Sequence, residues 1–241
     1  MNKFKKFSFF FIFLPILLFG LAAEATAQLV AGPINPANGF PRTIQSPGLT
    51  PAAPPMVVRL CLVNAFCSND PPIPGNAFSE RVGFGREVFY WRATADIGRV
   101  ATLEMGVATR WAGGVVANRR QRVVNFIRVD LRNLPSGGTY RVLHPFGAET
   151  FNVVADAQGR FNVDFIRSAG LGQPSPVTKF LKAANAPAGF LGDSNTPSRV
   201  TGSPIRRNFF RVIGPAGVDL GGTVQPNVVA TSLFTVEGTL R

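Results

Sequence analysis

Histidine and cysteine are almost missing from this chain: His144 is the only histidine in 241 residues, and Cys61 and Cys67 are the only cysteines. That scarcity excludes metal centres built from three or four closely spaced His and Cys ligands. It also leaves His144 without a catalytic companion, since there is no Gly-x-Ser-x-Gly elbow and no reactive thiol for it to activate. Lysine is scarce as well, with Lys179 and Lys182 the only two beyond residue 27, and acids number 13 in the whole sequence. There is no internal repeat, no heptad pattern, and no Gly-rich phosphate loop followed by Lys and a helix. Beyond the first segment, no apolar run approaches the ~20 residues that a spanning helix requires.

What the chain does have begins at its N-terminus. Lys3, Lys5 and Lys6 precede an almost unbroken apolar run over 7–21, and Ala25-Thr26-Ala27 supplies the small-x-small pattern that signal peptidase cuts after. This layout is that of a secretory signal peptide over 1–27. The run is short for a membrane span and Pro15 interrupts it. The expected mature chain starts at Gln28 and works outside the cytoplasm: in a periplasm, on a cell surface or in the medium. No lipobox cysteine and no second apolar span follow, so no transmembrane or lipid anchor is expected in the mature protein. A small outer-membrane barrel is disfavoured by arginines standing where lipid would be.

Residues 28–241 hold 22 basic against 12 acidic side chains, a net of +10, and 20 of those cations are arginines. Arginine presents a planar fork of donors that fits carboxylates, sulfates and phosphates two bonds at a time. An exported protein of this charge is drawn to anionic polysaccharides, other cell-envelope polymers or extracellular nucleic acid. In an oxidising compartment, the even pair Cys61 and Cys67 is expected to form a structural disulfide.

The segment 28–55 is rich in Pro, Gly and Ala without periodicity and reads as an extended lead-in to a single domain over 56–241. Strand-like stretches follow at 56–63, 87–95 and 99–110, with Gly98 in the turn between the last two. Residues 121–132 alternate cleanly. Val123, Asn125, Ile127, Val129 and Leu131 form the expected core face, while Arg122, Val124, Phe126, Arg128, Asp130 and Arg132 form a cationic outer face. Short strands at 139–143, 150–155 and 160–165 continue the meander, with a turn at 156–159. Residues 168–203 form a long Gly/Pro-rich excursion whose only helical candidate is 177–184, and strands at 208–213 and 230–239 close the chain. This pattern predicts an all-β antiparallel sandwich of the immunoglobulin-like, Greek-key type.

No residue qualifies as catalytic, cofactor-binding or metal-ligating. The candidate anion-binding residues are Arg119, Arg120, Arg122, Arg128 and Arg132 in one group, with Phe126 among them. Arg206, Arg207 and Arg211 make a second group around the aromatic pair Phe209 and Phe210. Arginine beside an aromatic can hold an anionic sugar or a nucleobase by charge and stacking. Tyr140, six positions past Leu134 across a Pro-Ser-Gly-Gly turn, resembles a tyrosine corner, whose phenol bonds to upstream backbone. His144, beside Pro145, reads as structural. The alternatives are a carbohydrate-active or hydrolytic enzyme with its site in 168–203, and a structural module that docks to another protein by strand addition.

Two stretches resemble a family of uncharacterised secreted bacterial proteins. One is Asn38-Gly-Phe-Pro41 with Leu60-Cys-Leu62, Cys67 and Val88-Phe-Tyr-Trp91. The other is Pro187-Ala-Gly-Phe-Leu-Gly-Asp193 with Val200-Thr-Gly-Ser-Pro204 and Asn208-Phe-Phe-Arg-Val212. Tyr140 and His144-Pro-Phe-Gly147 lie between them. The resemblance implies a secreted β-protein and no particular activity.

Overall fold

The computed structural model describes residues 28–241 apart from 49, 51, 64, 136–137 and 154–159, and gives backbone alone over 153 and 160–165. The expected signal segment 1–27 and the turn at 156–159 lie outside the described residues.

The lead-in carries β1 (Val30–Ala31) and β2 (Ile44–Ser46), followed by β3 (Met56–Arg59) and the short helix α1 (Ala77–Val82). Next come β4 (Phe89–Ile97), β5 (Ala101–Trp111), β6 (Gln121–Pro135), β7 (Gly138–His144), β8 (Gly147–Val153) and β9 (Arg160–Gly170). The last third supplies β10 (Lys182–Ala183), β11 (Ser198–Thr201), β12 (Phe210–Ile213), β13 (Val228–Thr231), β14 (Leu233–Glu237) and β15 (Thr239–Leu240). A seven-stranded sheet runs in the order β10-β11-β14-β4-β5-β6-β9; one four-stranded sheet runs β13-β12-β7-β8 and another β1-β2-β3-β15. Every pairing is antiparallel. The all-β, sandwich-like class read from strand spacing is therefore the observed one.

The period of two in β6 decides how the large sheet is used. Asn125, Ile127, Val129 and Leu131 are buried, and the last three join Trp91, Met105, Tyr140, Phe210 and Val212 in one core that also takes Ile44 and Val58 from the lead-in sheet. Trp91 is the centre of that core. Its ring packs 5.7 Å from Phe180 and 6.3 Å from Phe146, and its Nε1–H donates to the Leu181 carbonyl at 3.2 Å. Near the far end of β6 the pairing with β9 shifts between Leu131 and Leu134, where Asn133 takes a positive φ of 53°. Asn tolerates that left-handed conformation better than most side chains, as a bulge there requires.

Three expectations are corrected. The lead-in does not merely precede the domain: Phe40 and Ile44 are fully buried, and the Tyr90 hydroxyl donates to the Pro41 carbonyl at 2.6 Å. The excursion over 168–203 begins as the end of β9, and its helical candidate 177–184 forms no helix. Val177, Phe180 and Leu181 instead fill the core beside Trp91, and β10 and β11 extend the large sheet. Packing overrode the local spacing there. The closing strand expected over 230–239 divides into the end of β13, β14 and β15. Gly238, at φ 155°, hands the chain from the large sheet to the lead-in sheet, and a Cβ on it would stand 3.2 Å from the Tyr90 carbonyl oxygen. Helix α1, which alternation could not signal, is set by its caps. The Asn76 side chain accepts from the Ser79 N–H at 2.9 Å, and Gly83 adopts the left-handed conformation at the other end.

Cys61 and Cys67 are bonded, with Cα atoms 5.4 Å apart, and both are buried against β15, where the Thr239 hydroxyl approaches Cys61 Sγ at 3.4 Å. Closing so short a loop stabilises the fold by about 2 kcal/mol in the chain-entropy model. Reduction should therefore lower the thermal midpoint by roughly 4–8 °C for a chain of this size. An unchanged midpoint in reductant would contradict a structural role.

Candidate functional site

The outer face of the large sheet carries several arginines, and the strand register brings carboxylates to them. Arg92 on β4 places its Nε 3.5 Å from Glu104 of β5 and 3.5 Å from Glu237 of β14, with its guanidinium 4.7 Å from the Phe89 ring centroid. Arg110 pairs with Glu87 and lies 5.7 Å from the centroid of Phe126. Arg128 stands directly across from Glu104 in the β5–β6 register, and the Arg132 Nε donates to Asp130 at 2.8 Å. The expected cationic stripe is thus a mixed-charge ladder in which Arg128 and Arg132 sit beside acids. Phe126 is corrected too. It is 5 % exposed, its ring covers Gly106 on the neighbouring strand, and it clusters with Phe89 and Ala108. A ligand cannot stack on it.

The remaining members of the first group behave differently. Arg119, Arg120 and Arg122 are exposed around the turn into β6. Arg120 donates to the Ala112 carbonyl at 3.2 Å and Arg122 to the Gln121 carbonyl at 2.8 Å. Among the described residues, no carboxylate lies within ion-pair distance of these three.

The second group converges on one aromatic. Phe209 and Phe210 are neighbours at the start of β12, so alternation sends them to opposite faces. Phe210 is fully buried in the core, which removes it from the candidates, and Phe209 is left half-buried outside. Arg211 sits 4.7 Å and Arg207 6.0 Å from the Phe209 centroid. Arg207 is further held by Ser203 Oγ, which accepts from its backbone N–H at 2.8 Å, and its side chain donates to the Gly147 carbonyl. Arg211 Nε is buried without a hydrogen-bond partner, and Arg206 is exposed. Arg141 of β7 shares this outer face, opposite Ile213 in the register. Among the described residues, none of these four arginines has a carboxylate partner.

One further arginine set escaped the sequence reading. Arg42, Arg59 and Arg241 come from the lead-in, from β3 and from just beyond β15, and they line one groove of about 430 Å³. Nothing in their spacing along the chain announces this. Only the pairing of β3 with β2 and β15 brings them together.

Tyr140 and His144 both lie on the inner face of β7. The Tyr140 hydroxyl donates to the Pro135 carbonyl at 2.8 Å, the bond a tyrosine corner makes. His144 is buried, and its Nδ1 accepts from the Phe146 N–H at 3.3 Å. Burial, reinforced by the charges of Arg207 and Arg167, brings its pKa down to about 4, so the ring is neutral at pH 7. Its Nε2 is 3.8 Å from Glu149, too far for a hydrogen bond.

Glu104 and Glu237 both flank Arg92 and lie within about 7 Å of each other. Burial raises the Glu237 pKa, while Arg92 and the Ser68 N–H it accepts from hold it back. The space beside Glu237 is about 10 Å³, room for roughly one water. In the excursion, Asp193 accepts from the Asn195 N–H and the Thr196 hydroxyl, bonds that lower its pKa and mark it as a turn residue.

Compared with protein-family models, curated proteins and solved structures, nothing matches this chain. Its function therefore has to be argued from its own surfaces.

The depressed pKa of His144 has a measurable consequence. The unfolded ring takes up its proton near pH 6.5 and the folded ring only near pH 4. Stability is therefore unaffected above about pH 7 and falls as the pH drops through that window, by roughly 3 kcal/mol at most. His144→Gln should narrow the gap between the thermal midpoints at pH 7 and pH 4.5. An equal gap in both proteins would show that the ring is not held neutral.

Proposed function

We propose that this is an exported, non-enzymatic protein, similar to other secreted bacterial β-proteins, that associates with anionic polymers through clustered arginines. The observation that carries this reading is a contrast between two kinds of arginine. On the large sheet Arg92, Arg110 and Arg132 are each neutralised by acids. At the turn into β6 and around Phe209, the clustered arginines have no carboxylate partner among the described residues. A neutralised arginine is a structural group. An array of unneutralised ones repels itself and gains when an anion arrives.

The partner class is an acidic polysaccharide or another anionic cell-envelope polymer, with extracellular nucleic acid as the competing polyanion. Export is supported by the signal-like segment, and the buried disulfide suits an oxidising compartment. Among the described residues, no helix is long and apolar enough to cross a membrane.

The test is retention on immobilised anionic polymers across a salt series. Replacing Arg119, Arg120 and Arg122 by Gln should advance elution clearly, and replacing Arg206 and Arg207 should do the same. Replacing Arg92 and Arg99 should do little, because one is already paired and the other lies outside both clusters, in a groove that it shares with Asp219. Equal losses from all three sets, with uniform release at modest salt, would reduce the effect to a general attraction of net charge.

A further inference from the structure

Whereas the grooves beside the other two clusters take in one arginine each, Arg122 and Arg211, the groove lined by Arg42, Arg59 and Arg241 gathers three arginines around one concavity. We infer that it is a binding site for one acidic unit of a polysaccharide, a sugar ring bearing a carboxylate, sulfate or phosphate. This rests on the reading of the protein as an anionic-polymer binder and names the place and the chemistry of recognition.

Register builds the site. Thr239 pairs with Arg59, and the Arg241 N–H donates to the Val57 carbonyl at 3.0 Å, so Arg59 and Arg241 are diagonal neighbours on one face of the lead-in sheet. Such neighbours stand about 7–8 Å apart, close enough for their charges to repel. Arg42 enters from the segment before β2, outside the paired residues of that strand, and lines the same groove. Among the described residues no side-chain carboxylate lies within ion-pair distance of any of the three. An oxyanion placed between them relieves the repulsion and can receive paired N–H donors from each fork.

Apolar side chains back the cations. Pro41, Leu60 and Leu62 are part of the lining, and Leu62 is 44 % exposed. They give the C–H face of a sugar ring something to pack on. The groove volume of about 430 Å³ falls in the range of small-ligand sites and suits one or two sugar units. Among the described residues no aromatic lines it, and that favours a sugar over nucleic acid, whose single strands are held by bases stacked on aromatic rings. The site is also fixed in place. Cys61 lies between the two leucines, and its disulfide is buried against Thr239 of β15.

Calorimetric titration of the purified protein with a short oligogalacturonate, a sulfated oligosaccharide of equal length, a neutral oligosaccharide and oligothymidylate tests the inference. Saturable binding of an acidic oligosaccharide is expected, weakened about tenfold for each arginine in Arg42→Gln and Arg59→Gln. Arg42→Lys with Arg59→Lys keeps the charge and loses the fork, so most of that loss should persist. Arg206→Gln with Arg207→Gln should leave oligosaccharide affinity unchanged. Whichever of the carboxylate and sulfate probes binds more tightly identifies the anion. Undiminished binding in the Gln or Lys variants would overturn the site, as would tighter binding of oligothymidylate through the same arginines. If no oligosaccharide binds while long polymers still retain the protein, this inference fails and the broader reading stands. If oligosaccharides bind here and polymer retention ignores the other two clusters, the site stands and the broader reading fails.

Discussion

The burial of Trp91 is the constraint on which the arrangement depends. Its ring faces Phe180 from the excursion and Phe146 from the turn between β7 and β8, and its indole N–H closes on the Leu181 carbonyl. Gly238, the point where the chain leaves the large sheet, would place a Cβ 3.5 Å from the same ring. One side chain thus ties together the large sheet, the smaller sheet, the excursion and the last strand. Removing so large a buried aromatic typically costs about 3–5 kcal/mol. Here it would also take the bonding partner from the Leu181 carbonyl.

Once Trp91 fixes which faces are inside, the surface follows. The large sheet turns its other face to solvent, where Arg92, Arg110 and Arg132 each meet an acid and Arg128 stands across from Glu104. Among the described residues, cations without a side-chain carboxylate partner gather at the turn into β6, at the entry to β12 and on the outward face of the lead-in sheet. The functional reading is therefore a consequence of register. The same arginine type is structural at Arg92 and available at Arg59, and the difference is which residue stands across the ladder.

Much of this was legible in the chain. The alternation in 121–132, the Gly98 turn, the tyrosine at 140 and the paired cysteines carry local signals whose physics needs no distant partner. The structure bears out the all-β class and the disulfide. The segment 177–184 has an apolar spacing that fits a helix, and only its packing against Trp91 makes it core. Phe126 and Phe210 were misassigned for related reasons. An aromatic on a polar face finds cover only if the neighbouring strand offers a glycine, as Gly106 does. The choice between Phe209 and Phe210 requires the phase of β12. The groove arginines were invisible, since residues 42, 59 and 241 meet only through pairing of strands far apart in sequence.

The central claim is that clustering without neutralisation, not arginine content, determines where this protein meets its partner. Arginine-selective chemical labelling read residue by residue, with and without an acidic polysaccharide, tests it most directly. The account predicts protection of Arg42, Arg59, Arg119, Arg120, Arg122 and Arg206 by the polymer. Arg86, Arg99 and Arg199, exposed but outside the three groups, should label equally in both conditions, and Arg92 should label slowly throughout. Uniform protection of every exposed arginine, or protection of none, would contradict it.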